Sequence, residues 1–152
     1  LAIVGRGHMK KALLKAAEEL GVAHAVFIKS GMEFEELAQH YRSADLVVYP
    51  SYYEGQGLIP LEALASGTPV VTVDQPPLTE MVDDTVGGLF DRGDHSGMAK
   101  AVCDELNGSV KRIKKAKAGR KRVLESFTFE GNAETYEDVF QRSVQKRHWR
   151  DK

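Results

Sequence analysis

Residues 49–71 read YPSYYEGQGLIPLEALASGTPVV, which combines a strand end, a glycine-containing loop, a helix and the start of another strand. Pro60 fits a helix only in its first turn, so this helix begins near Gly57. Gly67 ends it, and an apolar run over 69–73 follows. In parallel α/β proteins, such a connection places the helix N-terminus at the carboxyl edge of the sheet, where ligands bind.

The same alternation of strands and helices extends to both sides of this stretch. Apolar runs predict strands at residues 1–4, 25–28, 46–49, 69–73 and 88–90. Helical spacing predicts helices over 9–20 and 58–66, and one whose inner face carries Phe34, Leu37, Ala38 and Tyr41. Continuous apolar strands alternating with helices indicate an α/β fold with a Rossmann-like, doubly wound parallel sheet that is buried on both faces. Helices alone are predicted after Asp94, at 95–107, 109–126 and 132–146.

Length and composition exclude several classes of protein. The chain has 152 residues, 42% hydrophobic and 28% charged, with a net charge of −1, which is typical of a soluble globular domain. No apolar run approaches the roughly 20 residues of a membrane span, and no signal-peptide pattern is present. The single cysteine, Cys103, indicates a reducing compartment and is expected in the core of a helix. We therefore expect a cytoplasmic protein, and the start inside a strand suggests a piece of a longer chain.

The charge is unevenly distributed. Residues 1–110 hold 8 basic and 16 acidic residues, a net −8, whereas residues 111–152 hold 13 and 6, a net +7. Within Lys111–Arg122, eight of twelve positions are Lys or Arg. This run is either a solvated helix face or a patch that weakly attracts anionic membranes or phosphate. It lacks the interleaved aromatic residues that bind single-stranded nucleic acid, so we expect no nucleic-acid partner.

Two carboxylates flank the predicted helix start. Glu54 precedes it, and Glu62 lies about 7 Å along the helix from Gly57. Free amides and the helix dipole at 57–59 suit a diphosphate, and carboxylates accept hydrogen bonds from paired sugar hydroxyls. A nucleotide sugar would fit, with Glu54 on the transferred hexose and Glu62 on the ribose. The alternative is that Glu54 is an ordinary loop acid and that Glu62 only complements the helix dipole.

These residues resemble the signature of the retaining family-4 glycosyltransferases of GT-B fold, in which two glutamates are separated by seven residues. The resemblance extends to the turn Gly5-Arg6-Gly7, to Glu80, to the strand at 87–90 and to Phe127-Thr128-Phe129. It covers the C-terminal, donor-binding half of such an enzyme. It implies a Rossmann-like nucleotide-sugar-binding domain over 1–128 and a C-terminal crossover helix and tail over 129–152.

The resemblance also implies an activity and a set of site residues. The parent protein would transfer a hexose from a nucleoside diphosphate sugar to an unknown acceptor, whereas this chain alone would be inactive because it lacks the N-terminal acceptor domain. Neither a metal nor a cofactor is expected. The family pattern makes Glu54 the catalytic residue and assigns donor binding to Gly5, Gly7, Gly55, Gly57, Leu58, Ile59 and Glu62.

Some residues depart from the family pattern and leave alternatives open. Gln56 stands where phenylalanine is usual, and Pro76-Pro77 replaces a common glycine pair. One alternative is a non-catalytic module that binds nucleotide sugars. Another is an NADP-binding Rossmann domain, in which Lys29 would face the cofactor phosphate, although Lys10 occupies the position of the third fingerprint glycine.

The family's terminal helix packs on the acceptor domain. In this chain by itself we therefore expect part of its apolar face, namely Phe140 and Trp149, to be exposed, mobile or buried in a dimer contact.

Overall fold

The computed structural model describes residues 1–147, and it describes side chains through residue 145. A 3₁₀ turn over Ala23–Ala25 precedes the second strand. In chain order, the elements are β1 (Ala2–Val4), α1 (Lys10–Glu19), β2 (Phe27–Lys29), α2 (Phe34–Ser43), β3 (Val47–Tyr49), α3 (Leu58–Ala65), β4 (Val70–Val73), α4 (Leu78–Met81), β5 (Gly87–Phe90), α5 (His95–Leu106), α6 (Ser109–Ser126) and α7 (Phe129–Arg147).

All strand pairs among these elements are parallel, which confirms the predicted α/β class. β1 pairs with β2 with Ile3 opposite Ile28. β4 lies between β3 and β5, with Val71 opposite Val48 on one side and Gly88 on the other. The strands thus form a two-stranded and a three-stranded sheet, where the sequence analysis expected one sheet.

The chain divides into two compact units, residues 1–39 and 40–152, and the division falls within α2. Each sheet belongs to one unit. In the first unit, Ala17 is the one buried residue among those described, and Phe27 of β2 is 67% exposed. The expectation of strands buried on both faces is wrong here, because a sheet of two short strands is too narrow to bury its faces. The predicted boundary between residues 128 and 129 stays a prediction.

The second unit contains the hydrophobic core. All four residues of β4 are completely buried, as its continuous apolar sequence predicts. Leu64 of α3, Met81 of α4 and Phe90 of β5 pack around it. α6 approaches α3 closely at Gly119, where a Cβ atom would lie 2.6 Å from Cδ2 of Leu64. This close approach explains a glycine in the middle of α6.

The basic run on α6 is not simply a solvated helix face. Four of its eight basic side chains donate hydrogen bonds to acceptors on other elements. Lys115 is the most buried of them, since it is 5% exposed in its ion pair with the equally buried Glu105. The run therefore fixes α6 to the core as well as presenting charge to solvent. The four contacts are Arg112 with Asp45, Lys115 with Glu105 and the Gly87 carbonyl, Arg120 with the Ala65 carbonyl, and Arg122 with Asp83.

Several predicted details need correction. α4 has no counterpart among the predicted helices; it follows Pro77, and proline favours a helix start. α7 begins three residues earlier than predicted, since the Thr128 hydroxyl accepts a 3.1 Å hydrogen bond from the Gly131 amide and caps it. Phe34 is 79% exposed instead of lying on an inner face, and Cys103 is exposed instead of being in the core. Phe34 is the first residue of α2, and Cys103 lies beside the exposed Asp104 on α5.

Within residues 1–147, no helix combines the length and the apolar character that crossing a bilayer requires.

Candidate functional site

The loop between β3 and α3 carries most of the predicted site residues, and the neighbouring strand holds it in place. The Thr72 hydroxyl of β4 donates a 2.8 Å hydrogen bond to the Tyr49 carbonyl at the end of β3. Beyond β4, Gln75 Nε2 donates a 2.8 Å hydrogen bond to the Tyr52 carbonyl. The loop therefore leaves the carboxyl end of β3 with its backbone anchored on the central strand.

Gly57 is the N-cap of α3 and has a left-handed backbone, with φ of +88°. A Cβ atom there would lie 2.9 Å from Leu78 Cδ2 and 3.0 Å from Met81 Cε, so both conformation and space favour glycine. The first amides of α3, which include those of Leu58 and Ile59, have no acceptor inside the helix. Pro60 is buried in the first turn, as predicted. The α3 N-terminus therefore leaves backbone amides free, and anion binding by them stays a prediction.

Glu54 lies in this loop, partly buried, with two hydroxyl groups beside its carboxylate. The Tyr49 hydroxyl donates a hydrogen bond to Oε1 of Glu54. Hydrogen bonding from Ser51 and then from Tyr49 lowers the pKa of Glu54 below its ordinary value. Burial and the same hydrogen bond raise the pKa of the Tyr49 phenol. Glu54 is accordingly a carboxylate at neutral pH and is able to accept hydrogen bonds from sugar hydroxyls.

Glu62 is held in a similar way, as the fifth of the eight residues of α3. The Tyr41 hydroxyl, from the end of α2, donates a 2.9 Å hydrogen bond to Oε2 of Glu62. Burial and then this carboxylate raise the pKa of Tyr41 strongly, so the phenol stays protonated and remains a donor. Tyr41 is itself anchored, because the Thr68 hydroxyl donates a 2.6 Å hydrogen bond to its carbonyl. Each predicted glutamate therefore has a tyrosine partner, which the sequence analysis did not identify.

Arg92 is a further residue that sequence reasoning missed. It follows β5, and its guanidinium lies 5.1 Å and 4.9 Å from the ring centroids of Tyr52 and Tyr53. Its Nη2 also donates a 3.0 Å hydrogen bond to the Tyr53 hydroxyl. A cation thus contacts the loop directly before Glu54. No sequence spacing points to this contact, because the partners are 39 residues apart.

The other predicted donor-binding residues belong to the first unit. Gly5 and Gly7 lie in the turn between β1 and α1, and the Gly5 amide extends the sheet by donating to the Lys29 carbonyl at 2.9 Å. Glu54, Gly55, Gly57, Leu58, Ile59 and Glu62 all lie in the second unit on one loop and helix. A role for Gly5 and Gly7 in donor binding stays a prediction.

A surface cavity of about 290 Å³ lies apart from the two glutamates, between the end of β5 and α5. Four aspartates and one lysine provide its charged lining, and Lys100 pairs with Asp104 at 2.6 Å. A predominantly acidic lining repels a diphosphate, so this cavity is not the anion site. Within the described residues, no three His, Cys, Asp or Glu side chains are grouped to hold a metal ion. The expectation that no metal or cofactor is required stays a prediction.

Comparison with known proteins places this geometry in a family. The model of the family described as "Glycosyl transferases group 1" matches residues 1–122. A D-inositol 3-phosphate glycosyltransferase from Nocardia farcinica is 39% identical over 104 residues, which are 68% of this chain and 23% of that protein.

Two solved structures are also similar to this chain. Sucrose-phosphate synthase from Thermosynechococcus elongatus superposes with a TM-score of 0.84 at 27% identity, covering 96% of this chain and 39% of that one. TarM from S. aureus, in complex with Fondaparinux, alpha-GlcNAc-glycerol and UDP, has a TM-score of 0.80 at 28% identity, covering 91% of this chain and 28% of that one. The chain spans less than half the length of each of these relatives. Because the family model matches well over half of its residues, the chain belongs to the group 1 glycosyltransferases.

Proposed function

We propose that the chain is the donor-binding half of a retaining glycosyltransferase that moves a hexose from a nucleoside diphosphate sugar to an acceptor. The observation that carries the proposal is that Glu54 precedes and Glu62 follows the α3 N-terminus in the chain. Each of the two carboxylates accepts a hydrogen bond from a tyrosine hydroxyl. The UDP in the TarM complex supports a nucleotide as the ligand of this fold. The family match favours a nucleotide sugar over the NADP alternative that Lys29 suggested.

In this proposal the residues of α3 have separate roles. The amides of Gly57, Leu58 and Ile59 and the helix dipole bind the diphosphate of the donor. Glu62 accepts hydrogen bonds from the ribose hydroxyls, and Glu54 accepts them from the hexose. Tyr41 and Tyr49 are positioning residues, because each orients a carboxylate without touching the donor.

The proposed reaction retains the configuration of the sugar. The bond between the anomeric carbon and the diphosphate oxygen breaks, and the acceptor oxygen bonds to the same face of that carbon. The proton of the acceptor hydroxyl passes to the leaving diphosphate, so the protein needs no general base. Its contribution is to stabilise the charge that develops on the diphosphate, through the α3 amides.

Catalysis also requires a bound acceptor in the correct orientation. The family resemblance implies that the acceptor binds to an N-terminal domain, and the relatives are longer than this chain. We therefore infer that residues 1–152 alone bind the donor nucleotide weakly and transfer no sugar. The alternative is that the parent protein is itself a non-catalytic module that binds the donor. Transfer assays on the parent protein distinguish this alternative from a glycosyltransferase.

Calorimetry with UDP, GDP and ADP tests the proposed site. At least one nucleotide should bind at millimolar concentration, and Glu62→Gln should weaken it by about 1.5 to 3 kcal/mol, the range for a hydrogen bond to a charged group. Glu130→Gln, on the exposed first turn of α7, is the matched control and should leave affinity unchanged.

Three outcomes of these measurements contradict the proposal. The first is that none of the three nucleotides binds, and the second is that NADPH binds more tightly than every nucleotide sugar. Sugar transfer by the chain alone would contradict its inferred inactivity.

A further inference from the structure

The basic run of α6 has two faces with different surroundings. Arg112, Lys115 and Arg122 point toward the core and are held by acceptors on other elements. Lys114, Lys117 and Lys121 point away from it and are exposed. The inward contacts involve only some of the basic residues of the run. The three outward lysines have no part in the proposed donor site.

Aliphatic side chains share this outward surface. Val110 is 82% exposed, Ile113 is 60% exposed and Leu124 is 59% exposed. At about 100° per residue, these three and the three lysines fall within roughly 100° of the helix circumference. We call this set the outer α6 face, and its members are Val110, Ile113, Lys114, Lys117, Lys121 and Leu124.

The outer α6 face is long enough to contact an extended surface, and it carries mainly positive charge. Val110 and Leu124 are 14 positions apart, which corresponds to about 21 Å along the helix axis. Glu125 is the acidic residue adjoining the face, and it is paired with Lys121 at 3.7 Å. Residues 1–110 carry a net −8, so the cationic face has the opposite sign to that part of the chain. An anionic surface would consequently meet α6 in preference to residues 1–110.

We propose that the outer α6 face docks the protein on the anionic phospholipid headgroups of a membrane surface. Lysines interleaved with aliphatic side chains fit an interface in which ammonium groups contact headgroups and apolar atoms reach the acyl boundary. Nucleic acid is the less suitable partner, because the face has three exposed aliphatic residues and no aromatic or arginine side chain to stack on bases. The contact is peripheral and reversible, and it does not depend on the proposed donor site.

Vesicle co-sedimentation of the 152-residue chain tests this surface. The chain should bind vesicles of phosphatidylglycerol and phosphatidylcholine at low salt and should not bind pure phosphatidylcholine. At about 1 M salt, where the Debye length is about 3 Å, binding should be lost. Each lysine near an anionic surface strengthens binding about fivefold, so the triple variant Lys114→Gln, Lys117→Gln, Lys121→Gln should weaken it about a hundredfold.

The control is a second triple variant with the same change of charge, Lys10→Gln, Lys11→Gln, Lys15→Gln on α1. It matches the first closely, because each triple contains one lysine paired with a glutamate four residues later. The control should retain most of the binding, and circular dichroism should show both variants folded. Val110→Ser with Leu124→Ser should weaken binding to anionic vesicles without affecting binding to polyuridylic acid.

The proposal is overturned by absent vesicle binding at low salt or by equal losses in the two lysine triples. It is also overturned if polyuridylic acid binds more tightly than the vesicles and the serine variant binds vesicles normally. That last pattern would identify the face as a nucleic-acid surface.

Discussion

Tyrosine and glutamate side chains form the same pair at two places near α3. Tyr49 donates to Glu54, and Tyr41 donates to Glu62. Because each phenol stays protonated, it acts as a hydrogen-bond donor and favours the ionised form of its glutamate. Each pair therefore presents a carboxylate in a fixed orientation. Preorganised acceptors of this kind bind sugar hydroxyls without first having to be ordered.

Tyr49→Phe should raise the pKa of Glu54 toward its ordinary value. The hydrogen bond favours the carboxylate, so its loss makes protonation easier, although Ser51 still lowers the pKa of Glu54. Titration of the Glu54 carboxyl carbon by NMR measures the change. Tyr53→Phe is the control, since its hydroxyl contacts Arg92 instead of Glu54. An unchanged Glu54 midpoint in Tyr49→Phe would show that the hydrogen bond does not act on Glu54.

At the scale of elements, α6 organises the second unit by several inward contacts. It packs on α3 at Gly119, pairs with α5 through Lys115, and reaches the segment before β5 through Arg122. Of these contacts, the one at Gly119 supports α3, the helix that carries the proposed donor site. Substitutions along α6 should therefore affect the free energy of unfolding more than they affect the affinity for the donor.

Gly119→Ala should destabilise the fold by up to about 2 kcal/mol. Overpacking costs about 1 to 3 kcal/mol, and the better helix propensity of alanine offsets about 1 kcal/mol of it. The clash partner is the buried side chain of Leu64, 1% exposed, which has little room to move. In a Leu64→Ala background the clash disappears, and the same substitution should become stabilising in urea denaturation. Destabilisation of equal size in both backgrounds would rule out the contact as its cause.

Asp83 provides a pH-dependent test of the link between α6 and β5. Burial raises the pKa of Asp83, but hydrogen bonds from Arg122 and Thr85 outweigh it and hold the pKa at about 2, below the ordinary 3.8. A carboxyl group whose pKa is lowered in the folded state stabilises the fold at pH values above its unfolded-state pKa. This contribution is lost as the pH falls through about 2.

Asp83→Asn should accordingly cost about 1 kcal/mol at pH 7, a value reduced for the partial exposure of this pair. In urea titrations the cost should shrink between about pH 4 and pH 2, where the native protein loses the same charge. Asp84→Asn, at the exposed neighbouring position, should show no such dependence. A cost that is constant with pH would exclude the ionised pair as the source.

At the scale of the whole molecule, α7 has an apolar face that the other described residues leave uncovered. Tyr136 and Phe140 are 65% and 66% exposed, and their rings stack with centroids 6.4 Å apart. The predicted exposure of Phe140 is confirmed, whereas Trp149 lies outside the described residues. A 19-residue helix with this little burial has few tertiary contacts to stabilise it.

Backbone amides of α7 should exchange quickly with solvent in the 152-residue chain. In a longer chain that carries the N-terminal acceptor domain implied by the family resemblance, that domain should slow their exchange by covering Val139 and Phe140. Hydrogen exchange followed by mass spectrometry, with α3 as the protected reference, measures both states. Slow exchange throughout α7 in a demonstrated monomer of the chain would contradict an uncovered face.

The sequence by itself determined the order of the strands and helices and the position of the two glutamates around the α3 N-terminus. These features depend on local signals: apolar runs, glycine and proline at helix ends, and the spacing of Glu54 and Glu62. One of its errors was also local: α7 begins earlier than predicted because the Thr128 hydroxyl caps it.

Tertiary structure alone decided which side chains surround those glutamates and which lysines and arginines of α6 face inward. Tyr41 reaches Glu62 across 21 positions, Arg92 reaches Tyr53 across 39, and Arg112 reaches Asp45 across 67. No periodicity encodes such contacts, because they exist only after packing has brought separate elements together. The sequence of a basic run therefore does not distinguish its members from one another. In the folded helix, the basic residues on the buried side pair with other elements, whereas those on the exposed side remain accessible to a partner.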